Sequence, residues 1–192
     1  MSLGKIGLTC LISGAYFVGV STVWSYVGQI GAAHHMSVDA VSATVSRAWL
    51  AGGLAGSGAA IVIAKRLPRV LAVVISTAGT AACTCATVLV TAPSMFALAL
   101  GGFAFFWLLS FPVQMGLFSQ VDGTGRLAVV AFVVQLLACA AGAALGGLIS
   151  QSASYGTMAQ VCVAAYVIYL CSALALIRAG KSPSRAQIPV TS

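Results

Sequence analysis

The stretch Ala64-Lys65-Arg66-Leu67-Pro68-Arg69 puts three cations into six residues between two long apolar runs. Charged residues are costly at a bilayer centre, and short Lys/Arg-rich loops stay cytoplasmic. Arg47 to Leu89 therefore reads as helix, inside turn, helix. Every other segment is oriented from that turn.

With 60% hydrophobic and 6% charged residues and a mean hydropathy of +1.07, the chain lacks the polar groups to cover a soluble surface. It reads as an all-α integral membrane protein. Six apolar runs are each long enough to cross roughly 30 Å of hydrocarbon as a helix. They are Leu8 to Ile30, Val41 to Ala64, Val70 to Thr91, Met95 to Ser119, Leu127 to Ser150 and Thr157 to Ile177. Together they define a six-helix transmembrane domain over 1–180, followed by a short cytoplasmic tail over 181–192. A β-barrel needs alternating segments, whereas Val70 to Val90 and Leu127 to Ile149 are apolar or small on all sides.

The net charge of +7 follows the same topology. Lys5 precedes the first span, Lys65, Arg66 and Arg69 follow the second, Arg126 follows the fourth, and Arg178, Lys181 and Arg185 follow the sixth. All eight fall on one side if both termini are cytoplasmic, with Arg47 the exception. The expected setting is a plasma membrane of the bacterial inner-membrane type, crossed many times. The cations form no patch for nucleic acid. Gly31-Ala32-Ala33 has the small-x-small look of a signal-peptide site, but the run before it is too long and carries Tyr16, Trp24 and Tyr26, so the first helix is expected to stay.

Cys10, Cys83, Cys85, Cys139, Cys162 and Cys171 all fall in spans, as small packing residues. Residues 83 and 85 point about 200° apart on a helix, and no His or carboxylate lies in a span to complete a site. No metal and no cofactor are expected.

Candidate contacts for a small molecule lie on three helices. In the first, Thr9, Ser13, Tyr16 and Trp24 share one narrow sector, with Tyr26 and Trp24, near the outer end, suited to the interfacial belt. In the second, Arg47 sits about 9 Å inside the helix at about 1.5 Å per residue, placed either to snorkel or to meet a ligand. His34, His35 and Asp39 precede it in an outer loop, where Ser37 or Asp39 can cap the helix. In the fourth, Phe103, Trp107, Ser110, Phe111, Gln114 and Phe118 align beside Pro112. Aromatic and amide groups around a helix interruption suit a small-molecule path. The candidate substrate-binding set is Tyr16, Trp24, Arg47, Trp107, Ser110 and Gln114. Gly52, Gly53, Gly56 and Gly58, and later Gly142, Gly146 and Gly147, offer surfaces for close helix approach. Gln135 shares the Gly142/Gly146 face and suits an interhelical hydrogen bond.

After the fourth span, Asp122 or Thr124 can cap the next helix. The sequence Asp122-x-x-Gly125-Arg126, followed by Gln135 and Gly142-x-x-x-Gly146-Gly147, resembles the loop between the tenth and eleventh helices of major facilitator superfamily transporters. Lys65-Arg66-Leu67-Pro68-Arg69 resembles the degenerate second copy of that family's cytoplasmic basic motif. Lys65 stands where an acidic residue is usual and Pro68 where glycine is usual. The resemblance implies the carboxyl-terminal half of a facilitator, a three-plus-three inverted repeat. Its first, second, fourth and fifth helices would line a cavity while the third and sixth face outward. It also implies a transporter, not an enzyme, that needs a homodimer or a second six-helix half to enclose its path.

Two other classes compete. An intramembrane protease would match the span count, and Gly56-Ser57-Gly58 superficially fits a serine site, but no base lies in a span. A noncatalytic scaffold uses the same small-residue faces for packing. No acidic proton-coupling site is expected, because Asp39 and Asp122 fall in loops. Transport by a self-paired form is therefore expected to be passive, or coupled through an ion held by neutral oxygens such as Ser13 and Ser110, and a carboxylate would have to come from a missing half.

Overall fold

The computed structural model describes residues 3–152 and 154–180, and its regular structure is helical throughout. The helices are α1 (Leu3–Trp24), α2 (Val27–Ala33), α3 (Val38–Arg66), α4 (Arg69–Leu89), α5 (Pro93–Val121), α6 (Arg126–Ser152) and α7 (Tyr155–Gly180). Five of these, α1, α4, α5, α6 and α7, are long and apolar enough to cross a membrane. The chain is a multi-pass helical membrane protein. α3 is long enough at 29 residues, but Asp39, Arg47, Lys65, Arg66 and its glycines dilute its hydropathy. Lys181, Ser184 and Arg185 of the expected tail lie outside the described residues.

The expected first span is divided between α1 and α2. Tyr26 N–H donates to the Val23 carbonyl, one residue short of helical register, at 3.0 Å. The Tyr26 ring lies against Gly146 and Gly147 of α6 rather than free at an interface. At the α3 start, Ser37 and not Asp39 is the cap, its Oγ accepting from Ala40 N–H at 3.3 Å. α3 thus begins three residues before the expected Val41. Pro93 opens α5, where its missing N–H costs nothing, and α5 continues through Pro112.

Between α5 and α6, Asp122 is the cap. Its carboxylate accepts from Thr124 Oγ1 at 2.6 Å, Thr124 N–H at 3.1 Å and Leu127 N–H at 3.0 Å. These bonds, the Thr124 hydroxyl first, lower its pKa from 3.8 to about 2. Gly125 completes the turn with a φ of 77°, a backbone that glycine adopts freely.

α1 packs on α6 and α7, α5 packs on α3 and α4, and α4 meets α7. At two of these contacts glycine brings backbone against backbone. Side chains at Gly52 and Gly56 of α3 would collide with the carbonyls of Gly101 and Phe105 on α5. Side chains at Gly142 and Gly146 of α6 would come within 2.6 and 2.7 Å of the carbonyls of Val18 and Thr22 on α1. Backbones approach that closely only where Cβ is absent. At the second contact, Thr22 Oγ1 donates to the Gly142 carbonyl at 3.1 Å.

α3 and α6 bury little beyond these stripes. Leu50, Leu54 and Ile61 on α3 and Val129, Leu136, Leu137 and Leu148 on α6 are exposed. The third and sixth long helices, α4 and α7, were expected to face outward. One face of each does so, through Val70, Leu71, Val167 and Ile168. The other face is inside: Thr77, Thr80, Thr84 and Thr87 of α4 and Tyr166 and Tyr169 of α7 are buried. Hydroxyls satisfied within the bundle, all of these but that of Tyr169, let the two helices bury a polar side.

Gly56→Ala and Gly146→Ala should each destabilise the folded state by about 1–3 kcal/mol through overpacking. Gly58→Ala, where nothing lies within 4 Å, should be neutral or slightly stabilising, as helix propensity favours alanine. Thermal unfolding in detergent distinguishes them. Asp122→Asn tests the cap. A carboxylate with a lowered native pKa contributes stability above its ordinary 3.8 and loses it as pH falls through about 2. The variant should therefore unfold at a lower temperature at neutral pH, and the gap to the native chain should close towards pH 2.

Candidate functional site

The six candidate contacts fall into three places. Trp24 and Trp107 meet in an aromatic cluster with Trp49 and Phe103. The ring centroids are 5.5 Å apart for Trp24 and Trp107, and 5.0 Å from Trp49 to each of them. Phe103 lies parallel to Trp24 at 6.3 Å. The cluster is at mid-depth. Phe96 of α5 contacts His34 at one end of the bundle, and Trp107 lies about 16 Å further along the helix at 1.5 Å per residue. Trp24 is accordingly no belt residue. The cluster is also open, with Trp49 39% exposed and Trp24 and Trp107 half-buried.

Tyr16, Ser110 and Gln114 are fully buried in a separate polar column between α1, α4, α5 and α7. Thr80 Oγ1 donates to the Ser76 carbonyl at 2.8 Å, so the 3.1 Å bond to Tyr16 is donated by the phenol. Ser110 approaches the same phenol while donating to the Phe106 carbonyl at 2.8 Å. The Tyr16 ring packs at a tilt against Tyr169 at 4.9 Å and Tyr166 at 5.7 Å, and Tyr166 bonds Thr84 at 3.2 Å. Gln114 has both of its side-chain polar atoms unpaired: neither its Oε1 nor its Nε2 has a hydrogen-bond partner among the described residues, and Thr9 Oγ1, Ser13 Oγ and the Tyr169 hydroxyl share that condition. An unpaired buried amide is an expensive group to keep for packing alone.

Arg47 is in neither cluster. It lies two residues from Trp49, about 200° around α3, so the two flank opposite sides of the α3–α5 contact. It is exposed, and with Thr44, Leu98 and Phe105 it lines a groove of about 430 Å³ between those helices. Since α3 starts at Val38, Arg47 is about 14 Å along the helix rather than 9 Å.

Trp49, Tyr166 and Tyr169 escaped the sequence reading. Spacing along one helix finds residues that share a face, and these three join through contacts between helices. Gln135 is buried as expected, but its Nε2 makes no interhelical hydrogen bond among the described residues. Cys162 behaves as a small packing residue, its thiol donating to the Gly19 carbonyl at 3.2 Å. Ser57 is exposed on α3.

Replacing Gln114 with leucine removes two unpaired polar atoms at similar volume. The variant should be as stable as the native chain or more stable by about 1–3 kcal/mol, measured by thermal unfolding in detergent. Destabilisation would mean that the amide is paired in the folded protein. No family model, no curated protein and no solved structure matches this chain.

Proposed function

We propose that this chain is a half-transporter that moves a small molecule by alternating access after pairing with a second copy or another six-helix half. In this reading α3 joins the five apolar helices as a span, both termini are cytoplasmic, and α1–α4 and α5–α7 form a three-plus-three inverted repeat. The likeness of the Lys65–Arg69 and Asp122–Gly147 stretches to major facilitator motifs supports the carboxyl-terminal half of that superfamily as the nearest architecture.

The observation that carries the reading is a matched set of contacts. Val18 and Thr22 on α1 stand in the same spacing to Gly101 and Phe105 on α5 as Trp24 does to Trp107. Their glycine partners, Gly142 and Gly146 on α6 and Gly52 and Gly56 on α3, obey a common spacing as well. The packing agrees: exchanging α1 with α5, α3 with α6 and α4 with α7 turns the principal helix contacts into one another. Trp24 and Trp107 then occupy equivalent positions and touch on the pseudo-symmetry axis. An open tryptophan cluster at mid-depth is poorly suited to lipid, since indole favours the membrane interface. A second half would cover it and leave a path between.

Trp24, Trp49 and Trp107 are the proposed substrate surface, with Tyr16, Ser110 and Gln114 as the polar wall behind it. Arg47, on the other flank of α3, serves the lipid side. Mass in a mild membrane mimetic tests the pairing. The expected species, after subtracting bound lipid, is near twice 19.3 kDa. In a thermal-shift screen of small molecules, a compound that stabilises the native chain should lose its effect with Trp107→Ala and keep it with Arg47→Lys. A lone monomer that no compound stabilises would instead favour a scaffold or a fragment.

A further inference from the structure

At the end of the bundle opposite His34, a cleft of about 840 Å³ opens between the start of α1, the α3–α4 turn and the ends of α5 and α7. Two cations, Lys5 and Arg69, stand at its mouth, and both are exposed. Its floor is apolar, with Leu117 and Leu176 buried. Only two acidic residues occur in the chain, Asp39 and Asp122. Asp39 is at the start of α3, near the other end. Asp122 follows Val121 of the cleft wall, but its carboxylate is turned to the Thr124 hydroxyl and the N–H of Leu127 and forms no ion pair with Lys5 or Arg69. Among the described residues the mouth therefore carries two cations without an ion-pair partner above an apolar interior.

We propose that this cleft binds the headgroup of an anionic phospholipid. The charge complementarity selects a phosphate, and the surface beside it selects a lipid over a free anion. Val70 lines the cleft and is 40% exposed, and beside it Leu71 and Ile75, one turn apart, form an exposed apolar stripe on the adjoining face of α4 at 42% and 37%. A headgroup held by Lys5 and Arg69 would start its acyl chains at that stripe. Basic pockets between helices at a membrane face are suited to such headgroups, and each cation near the surface adds roughly five-fold to binding. The site is separate from the tryptophan cluster and does not depend on what the chain transports.

The test is native mass spectrometry of the full chain released from micelles containing phosphatidylglycerol or phosphatidylcholine. Phosphatidylglycerol should be retained preferentially, and Lys5→Gln and Arg69→Gln should each weaken retention about five-fold. Arg69→Lys, which keeps the charge, should restore most of it. Lys65→Gln and Arg126→Gln remove cations outside the cleft lining and should change retention less than two-fold. Equal losses from all four glutamine variants would overturn the site in favour of diffuse surface charge. Equal retention of the two lipids, or full displacement by millimolar inorganic phosphate, would also overturn it. If Arg69→Gln fails to fold, Lys5→Gln alone carries the test.

Discussion

The close approach of helix backbones at glycine is the constraint on which the rest of the bundle depends. Gly52 and Gly56 let α3 reach the carbonyls of α5, and Gly142 and Gly146 let α6 reach those of α1. In lipid there is no hydrophobic force between apolar helices, so van der Waals contact and short polar contacts hold them. These two contacts fix the outer helices and leave α1, α4, α5 and α7 to form the centre. The tryptophan cluster follows from the first contact, because seating α3 on α5 carries Trp49 to Trp24 and Trp107.

The centre is held by a different chemistry. Tyr16, Thr80, Thr84 and Tyr166 pair their hydroxyls across helices, and the two remaining threonines of α4, Thr77 and Thr87, bond to carbonyls one turn back. Such back-bonding satisfies the group locally and lets a threonine face sit in an apolar setting. Gln114 has no local carbonyl bond and no partner across the bundle among the described residues. Its position one turn beyond Ser110 makes it the least explained polar group of the core by packing alone.

Much of the fold was legible in the sequence because membrane spans announce themselves by length and hydropathy, and their ends by Pro68, Pro93 and Asp122. The division of the first span was not. The break after Trp24 accompanies the contact of Tyr26 with Gly146 and Gly147, more than a hundred residues away. For the site, helical periodicity grouped Tyr16 with Trp24 because they share a sector of α1. The bundle separates them, since the neighbours of α1 change along its length, from α4 and α7 at Tyr16 to α3 and α5 at Trp24. Arg47 and Trp49 show the converse limit: near in sequence, they face opposite flanks.

The open face is where architecture and proposed function meet. All three tryptophans of the chain lie in the one cluster, so its intrinsic fluorescence reports that face directly. Reconstitution into bilayers whose acyl chains are brominated near their middle measures whether lipid reaches it. If the face is covered by a second half and encloses a path, quenching should be weak compared with that of a membrane-inserted tryptophan analogue in the same bilayers. Quenching as strong as that of the analogue would mean that the cluster faces lipid, and it would contradict the half-transporter.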